Sequence, residues 1–119
     1  MLKTQVTKIF KFEAGHQLEN SFTKECESPH GHSYKVEVTF EGRVYTDTGM
    51  VIDFGELKQI VKPIIDEYDH KFFTKENYGK NPTAENMASD IFWKIREKTL
   101  MIKQVKLWET DTSYVIVRC

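Results

Sequence analysis

Cysteine is scarce: the 119-residue chain has two, Cys26 and Cys119, too few for the disulfide framework of a small secreted domain. Neither sign of charge dominates. Seventeen Lys and Arg against eighteen Asp and Glu leave a formal net charge of −1, which removes the electrostatic case for nucleic acid or an acidic membrane as partner. No run of eighteen apolar residues is present and the first residues lack the pattern of a secretory signal, so the expectation is a soluble, cytoplasmic protein. Three prolines and six glycines are too few for a linker, repeat or low-complexity segment. Ordinary shares of apolar (39%) and charged (29%) residues then point to one globular domain over 1–119. Cys119 is expected as a free thiol without a role.

Histidine is scarce as well, but not scattered. Three of the four fall in Phe12-Glu13-Ala14-Gly15-His16 and Cys26-Glu27-Ser28-Pro29-His30-Gly31-His32. Alternate residues of a strand share a face, so His30 and His32 project together, with Tyr34, Val36, Val38 and Phe40 behind them. Phe10, Phe12, Ala14 and His16 likewise share one parity. Two strands that each end an apolar face in histidine would bring three imidazoles to the rim of one core. Three nitrogen ligands with a fourth position open is a catalytic zinc arrangement. Gly31 is expected to allow close backbone approach. Cys26 admits two readings, a fourth ligand closing a structural site or a reactive thiol beside an open one.

The remaining elements follow from hydrophobic period. Residues 3 to 14 read as a strand with a bulge near 8 to 9, because Ile9 breaks the parity of its neighbours. Residues 17 to 29 read as a loop, 32 to 45 as a strand and 47 to 49 as a turn. Leu57, Ile60, Val61, Ile64, Ile65 and Tyr68 form a helical stripe that Pro63 should kink. Residues 69 to 81 read as a loop. Thr83 is the expected N-cap of a helix reaching about Lys98, with Glu85 in its first turn, and 103 to 110 with 113 to 118 form a closing hairpin. The class is α+β: an antiparallel four-stranded sheet with two helices on one face. The far face carries Ser33, Lys35, Glu37 and Thr39, and the sheet edges are uncovered; closure with other subunits into a barrel around a wet lumen is one arrangement that would cover the edges and suit the polar face. Glu109 shares parity with Val105 and Leu107. It either frays into solvent or offers a carboxylate to a flat amidine-like edge.

F-x-A-x-H followed by C-x-x-x-H-G-H-x-Y resembles the 6-pyruvoyl-tetrahydropterin synthase and 6-carboxy-tetrahydropterin synthase family, and the likeness runs through nearly the whole chain. It implies the tunnelling fold (T-fold), an oligomeric barrel assembled as a homo-hexamer of two trimers. It implies Zn²⁺ on His16, His30 and His32, and Cys26 as the base moving protons on a small pterin substrate. Asp69 and His70, which read alone as an ordinary surface pair, would activate the cysteine, often from a neighbouring subunit. Glu109, in an E-T motif, would anchor the pterin, and Pro82-Thr83-Ala84-Glu85-Asn86 is similar to the segment that opens the pterin pocket, putting Thr83 and Glu85 among the binding residues. The activity implied is a lyase converting 7,8-dihydroneopterin triphosphate to 6-carboxy-tetrahydropterin, the queuosine precursor, with the 6-pyruvoyl product as an alternative. Glu27 departs from the pattern. The better-known bacterial 6-carboxy enzymes have no acid there, whereas a branch lacking the cysteine uses this glutamate to cleave dihydroneopterin to 6-hydroxymethyl-dihydropterin for folate. C-E-x-x-H-G-H holds both groups, as in dual-function members, so Glu27 is either catalytic or a solvated loop residue. A metal-stabilised binding domain without turnover is the alternative of another class.

Overall fold

A computed structural model of the chain describes residues 2–119, apart from the side chain of Cys26. Two long strands, β1 (Thr4–His16) and β2 (His30–Gly42), form its spine and pair antiparallel in unbroken register from Thr4↔Gly42 to His16↔His30. Their alternation places Phe10, Phe12 and Ala14 with Tyr34, Val36 and Val38 on one buried face. Two helices cover that face. α2 (Phe54–Asp66) starts on an Asp53 cap that accepts from the Gly55 N–H at 2.7 Å, and it buries Leu57, Val61, Ile64 and Ile65. α4 (Ala84–Arg96) starts on Thr83, whose hydroxyl accepts from the Asn86 N–H at 3.2 Å, and it buries Met87, Ala88, Ile91, Phe92 and Ile95. β4 (Ile102–Thr110) and β5 (Ser113–Arg118) complete the antiparallel part of the sheet.

The α+β class and the two long helices match the sequence expectation, and several details correct it. The sheet has five strands among the described residues, in the order β3-β1-β2-β4-β5, because the expected loop at 69 to 81 contains β3 (Lys71–Phe73) and α3 (Lys75–Tyr78). β3 runs parallel to β1, pairing Ala14↔Lys71 through His16↔Phe73, and α3 is closed by a capping box between Thr74 and Asn77. A further single turn, α1 (Lys24–Glu27), lies in the 17 to 29 loop. The strands also run further towards the histidines than expected, to His16 and from His30.

No bulge interrupts β1 against β2. Ile9 keeps parity and lies half-exposed on the far face, while the irregularities fall at Thr39/Phe40 and Trp108/Thr110. Thr39 is buried, with its hydroxyl 2.7 Å from that of Thr7, and so does not belong to a wet surface. α2 continues through Pro63, whose ring sits on the exposed side. The crowded glycine is Gly15, not Gly31: a Cβ on Gly15 would lie 2.7 Å from the Phe72 ring, whereas one on Gly31 meets only ordinary contacts. Close packing of β3 onto β1 depends on that absent side chain. No helix among the described residues is long and apolar enough to cross a membrane.

Candidate metal centre and active site

The β1–β2 register builds the site. His16 faces His30 directly across the ladder, and His32 sits opposite Ala14, one step along the same face. The rings meet edge to face, with centroids 4.4 Å apart for His16–His30, 5.1 Å for His16–His32 and 5.0 Å for His30–His32. One ligand nitrogen from each lies within 4.8 Å of the others, and among the described residues no other group of His, Cys, Asp or Glu forms such a set. Tyr34 closes the floor: its ring stacks on Phe12 at 4.7 Å and packs edge-on to His16 and His32.

Two of the three rings are oriented from behind. His16 Nδ1 donates to the Pro82 carbonyl at 2.8 Å, and His30 Nδ1 donates to the Ser28 carbonyl at 2.6 Å. Each bond places the proton on Nδ1 and leaves the Nε2 lone pair free, as the outer partners of metal-binding imidazoles do. His16 is fully buried, and its Nε2 has no hydrogen-bond partner; His32 Nε2 has none either. Burial lowers the pKa of both His16 and His32 below the ordinary imidazole value, despite the Pro82 carbonyl and the Glu109 carboxylate acting in the opposite direction. Neutral imidazoles with unused lone pairs fit a cation. A tetrahedral zinc site would hold its nitrogens roughly 3.4 Å apart, so ligand closure here is a side-chain adjustment, not a refolding.

Glu109 reaches the same spot. It sits at the irregularity between Trp108 and Thr110, where no residue of β5 opposes it, and such bulges re-aim a side chain. Its Oε1 lies 3.4 Å from His32 Nε2. The separation would suit an ion pair, but burial beside two further imidazoles opposes the charged form of His32, so a carboxylate faces a neutral ring. Glu109 is thus turned into the site and half-buried rather than frayed into solvent.

The other expected residues divide. Asp69 and His70 do face each other: Asp69 Oδ2 lies 3.0 Å from His70 Nδ1, while Asp69 Oδ1 accepts from the Glu13 N–H at 2.9 Å. The Glu13 N–H and, after it, the His70 ring lower the Asp69 pKa. His70 has φ +58°, a left-handed conformation costly for a residue with a Cβ, and its N–H donates to the Glu13 carbonyl at 2.6 Å. Its side chain is exposed and lies outside the three-histidine ligand set, although His70 lines the same cleft as His32, Ser33 and Glu13. Thr83 spends its hydroxyl on the α4 cap, and Glu85 is exposed in the first turn of that helix. Glu27 is exposed at the end of α1; the Cys26 side chain lies outside the described residues. Sequence reasoning missed the Pro82 and Ser28 carbonyls, since any residue carries a backbone carbonyl and no motif marks the two that matter.

A family model described as 6-pyruvoyl tetrahydropterin synthase matches residues 5–119. The 6-carboxy-5,6,7,8-tetrahydropterin synthase of Haemophilus influenzae is 34% identical over 135 residues, covering 92% of this chain and 95% of that protein. The dihydroneopterin monophosphate aldolase of Pyrococcus furiosus is 33% identical over 111 residues, covering 91% of each. The structure of Caenorhabditis elegans 6-pyruvoyl tetrahydropterin synthase matches the fold with a TM-score of 0.86 at 25% identity, covering 100% of this chain and 97% of that one.

Proposed function

The chain belongs to the 6-pyruvoyl tetrahydropterin synthase family, and on that premise we propose that it is a zinc-dependent 6-carboxy-tetrahydropterin synthase acting on 7,8-dihydroneopterin triphosphate. The observation that carries the reading is the convergence of three imidazoles with one carboxylate at the end of the β1–β2 ladder. His16, His30 and His32 would hold the metal, which supplies Lewis acidity towards substrate hydroxyls. Glu109 offers two acceptor oxygens to the 2-amino group and N3–H of a pterin, a paired geometry stronger than a single contact. Cys26 would move protons on the substrate side chain, activated by the Asp69–His70 pair of a neighbouring subunit. Thr83 and Glu85, at the start of α4, would contribute to holding the pterin. Loss of triphosphate, addition of water and carbon–carbon cleavage release the two outer side-chain carbons as acetaldehyde and give the 6-carboxy product, the dihydropterin ring taking up the two electrons that the side chain loses. The test is mass spectrometry of the products formed by zinc-loaded protein from dihydroneopterin triphosphate. The 6-carboxy product supports the reading; a 6-pyruvoyl product, or none, overturns it.

A second reading rests on Glu27 and on the aldolase relative: side-chain cleavage of dihydroneopterin to 6-hydroxymethyl-dihydropterin. A non-catalytic zinc-stabilised domain is separated from both by the thiol. There Cys26 is a fourth ligand and resists alkylation, whereas in the enzyme it stays free to react.

The same reading includes a homo-hexamer of two trimers. The far sheet face exposes Ile9, Tyr114 and Ile116, and β3 and β5 are edge strands. The radius of gyration is 15.7 Å, against about 13.5 Å for a compact monomer of this length. An exposed His70, rigidly held by β1, suits reaching into a neighbouring subunit's site. Light scattering at micromolar concentration is expected to show the assembly; a stable, active monomer would contradict it.

A further inference from the structure

The loop of residues 17–29 leaves β1 directly after His16 and returns at His30, so a residue of the metal centre stands at each of its ends. It also carries Cys26 and Glu27. Gln17 continues the pairing with β3 by donating its N–H to the Phe73 carbonyl at 3.0 Å. Two residues on, the Glu19 N–H donates to Asn81 Oδ1 at 3.0 Å, and the Glu19 carbonyl accepts from Asn81 Nδ2 at 2.9 Å. One side-chain amide therefore satisfies both backbone groups of one residue, as a neighbouring strand would. Asn20 then turns the chain at φ +56°.

Asn81 is itself fixed on α4. Its carbonyl accepts from Asn86 Nδ2 at 2.8 Å and from the Thr83 N–H at 2.8 Å. The residues before it are tied down through Asp90, which accepts from the Tyr78 hydroxyl at 2.5 Å and from Lys80 Nζ at 2.6 Å. The residue after it, Pro82, supplies the carbonyl that orients His16. Two adjacent residues of one anchored segment thus grip the metal centre and the loop: Pro82 holds a ligand ring, and Asn81 holds the start of the segment bearing the proton-handling residues.

We propose that Asn81 is a positioning residue, whose amide clasps Glu19 and so fixes the Cys26 loop in register with the His16 end of the metal centre. Its role in turnover rests on the pterin synthase reading; the clasp itself does not. Its side chain belongs to neither the metal set nor the proton-transfer set, and it acts through backbone groups alone. A misplacement of about 1 Å in groups that move protons costs on the order of a hundredfold in rate.

The experiment compares zinc-loaded parent, Asn81→Ala and Asn81→Asp proteins by site-resolved amide exchange and by steady-state kinetics. Aspartate keeps the acceptor for the Glu19 N–H, loses the donor to the Glu19 carbonyl and sets an oxygen against it, so it is the graded variant. In Asn81→Ala, exchange at Glu19 and along residues 17–29 is expected to rise by about tenfold or more, with β2, α4 and zinc content unchanged. kcat is expected to fall on the order of a hundredfold while KM stays within about threefold, and Asn81→Asp should lie between. Unchanged exchange at Glu19 overturns the clasp. Faster exchange throughout the molecule, with a fall in Tm, makes Asn81 merely structural and overturns the positioning role, as does fast local exchange with parental kcat. Absence of turnover in the parent is a failure of the pterin synthase reading, and the exchange result alone then decides the clasp. If Asn81→Ala does not fold, Asn81→Asp carries the same comparison.

Discussion

A His30→Ala protein is expected to fold, to lose its metal and to lose pterin turnover. The three imidazoles do not contribute equally to the fold. His16 is fully buried, packs against His30, His32 and Tyr34, and bonds to Pro82, so its removal opens a hole beneath the site. His30 is the last pair of a thirteen-residue strand, half-exposed, with one hydrogen bond to Ser28. Truncating it leaves the β1–β2 register and the shared core in place, so stability should change little. Two nitrogens in place of three no longer make the open tetrahedral set. The activity lost should exceed the roughly 10–100-fold typical of removing an outer partner of a metal ligand. Elemental analysis of the purified variant, with a thermal melt beside it, checks both halves. Full metal retention with normal activity would remove the site from consideration.

What could be read from the sequence was what parity and period carry. Strand alternation put His16, His30 and His32 on one face because the side-chain period of a strand is two, and the structure keeps that parity through to the strand ends. The stripe from Leu57 to Ile65 and the Thr83 cap were legible for the same reason: both are local patterns. β3 was not legible. Lys71-Phe72-Phe73 is three residues long and exists as a strand because β1 lies beside it, with Gly15 leaving room for the Phe72 ring. Glu109 could be assigned to the correct row, but only the β4 irregularity shows it turned onto His32. The contact between Asp69 and His70 depends on a left-handed residue and on a backbone N–H from β1, and neither leaves a mark in the chain. Pairings between distant segments, such as Asn81 with Glu19, follow from tertiary placement and from no local rule.

Exchanging the two proton-handling candidates is expected to separate two products. Cys26→Ala should abolish formation of 6-carboxy-tetrahydropterin while leaving measurable release of 6-hydroxymethyl-dihydropterin from dihydroneopterin. Glu27→Gln should do the reverse, because the amide keeps the shape of the acid and cannot take the proton. Adjacent residues of an extended loop point apart, so both groups reach one substrate only where the backbone turns sharply before Pro29. The structure supplies such a turn in α1, Lys24–Glu27, closed by the Ser28 N–H donating to the Glu25 carbonyl at 3.2 Å. Successive helical positions diverge by about 100° rather than 180°. The residue after Glu27 is Ser28, whose carbonyl holds His30, which ties this turn to the metal centre through one peptide. Loss of a catalytic base costs roughly 10²–10⁴-fold, far beyond what a folding defect at an exposed glutamate produces. Zinc content and Tm measured on both variants keep the comparison free of indirect losses. Parental rates for both products in Glu27→Gln would make Glu27 a solvated loop residue and leave Cys26 as the chain's single base for the pterin side chain.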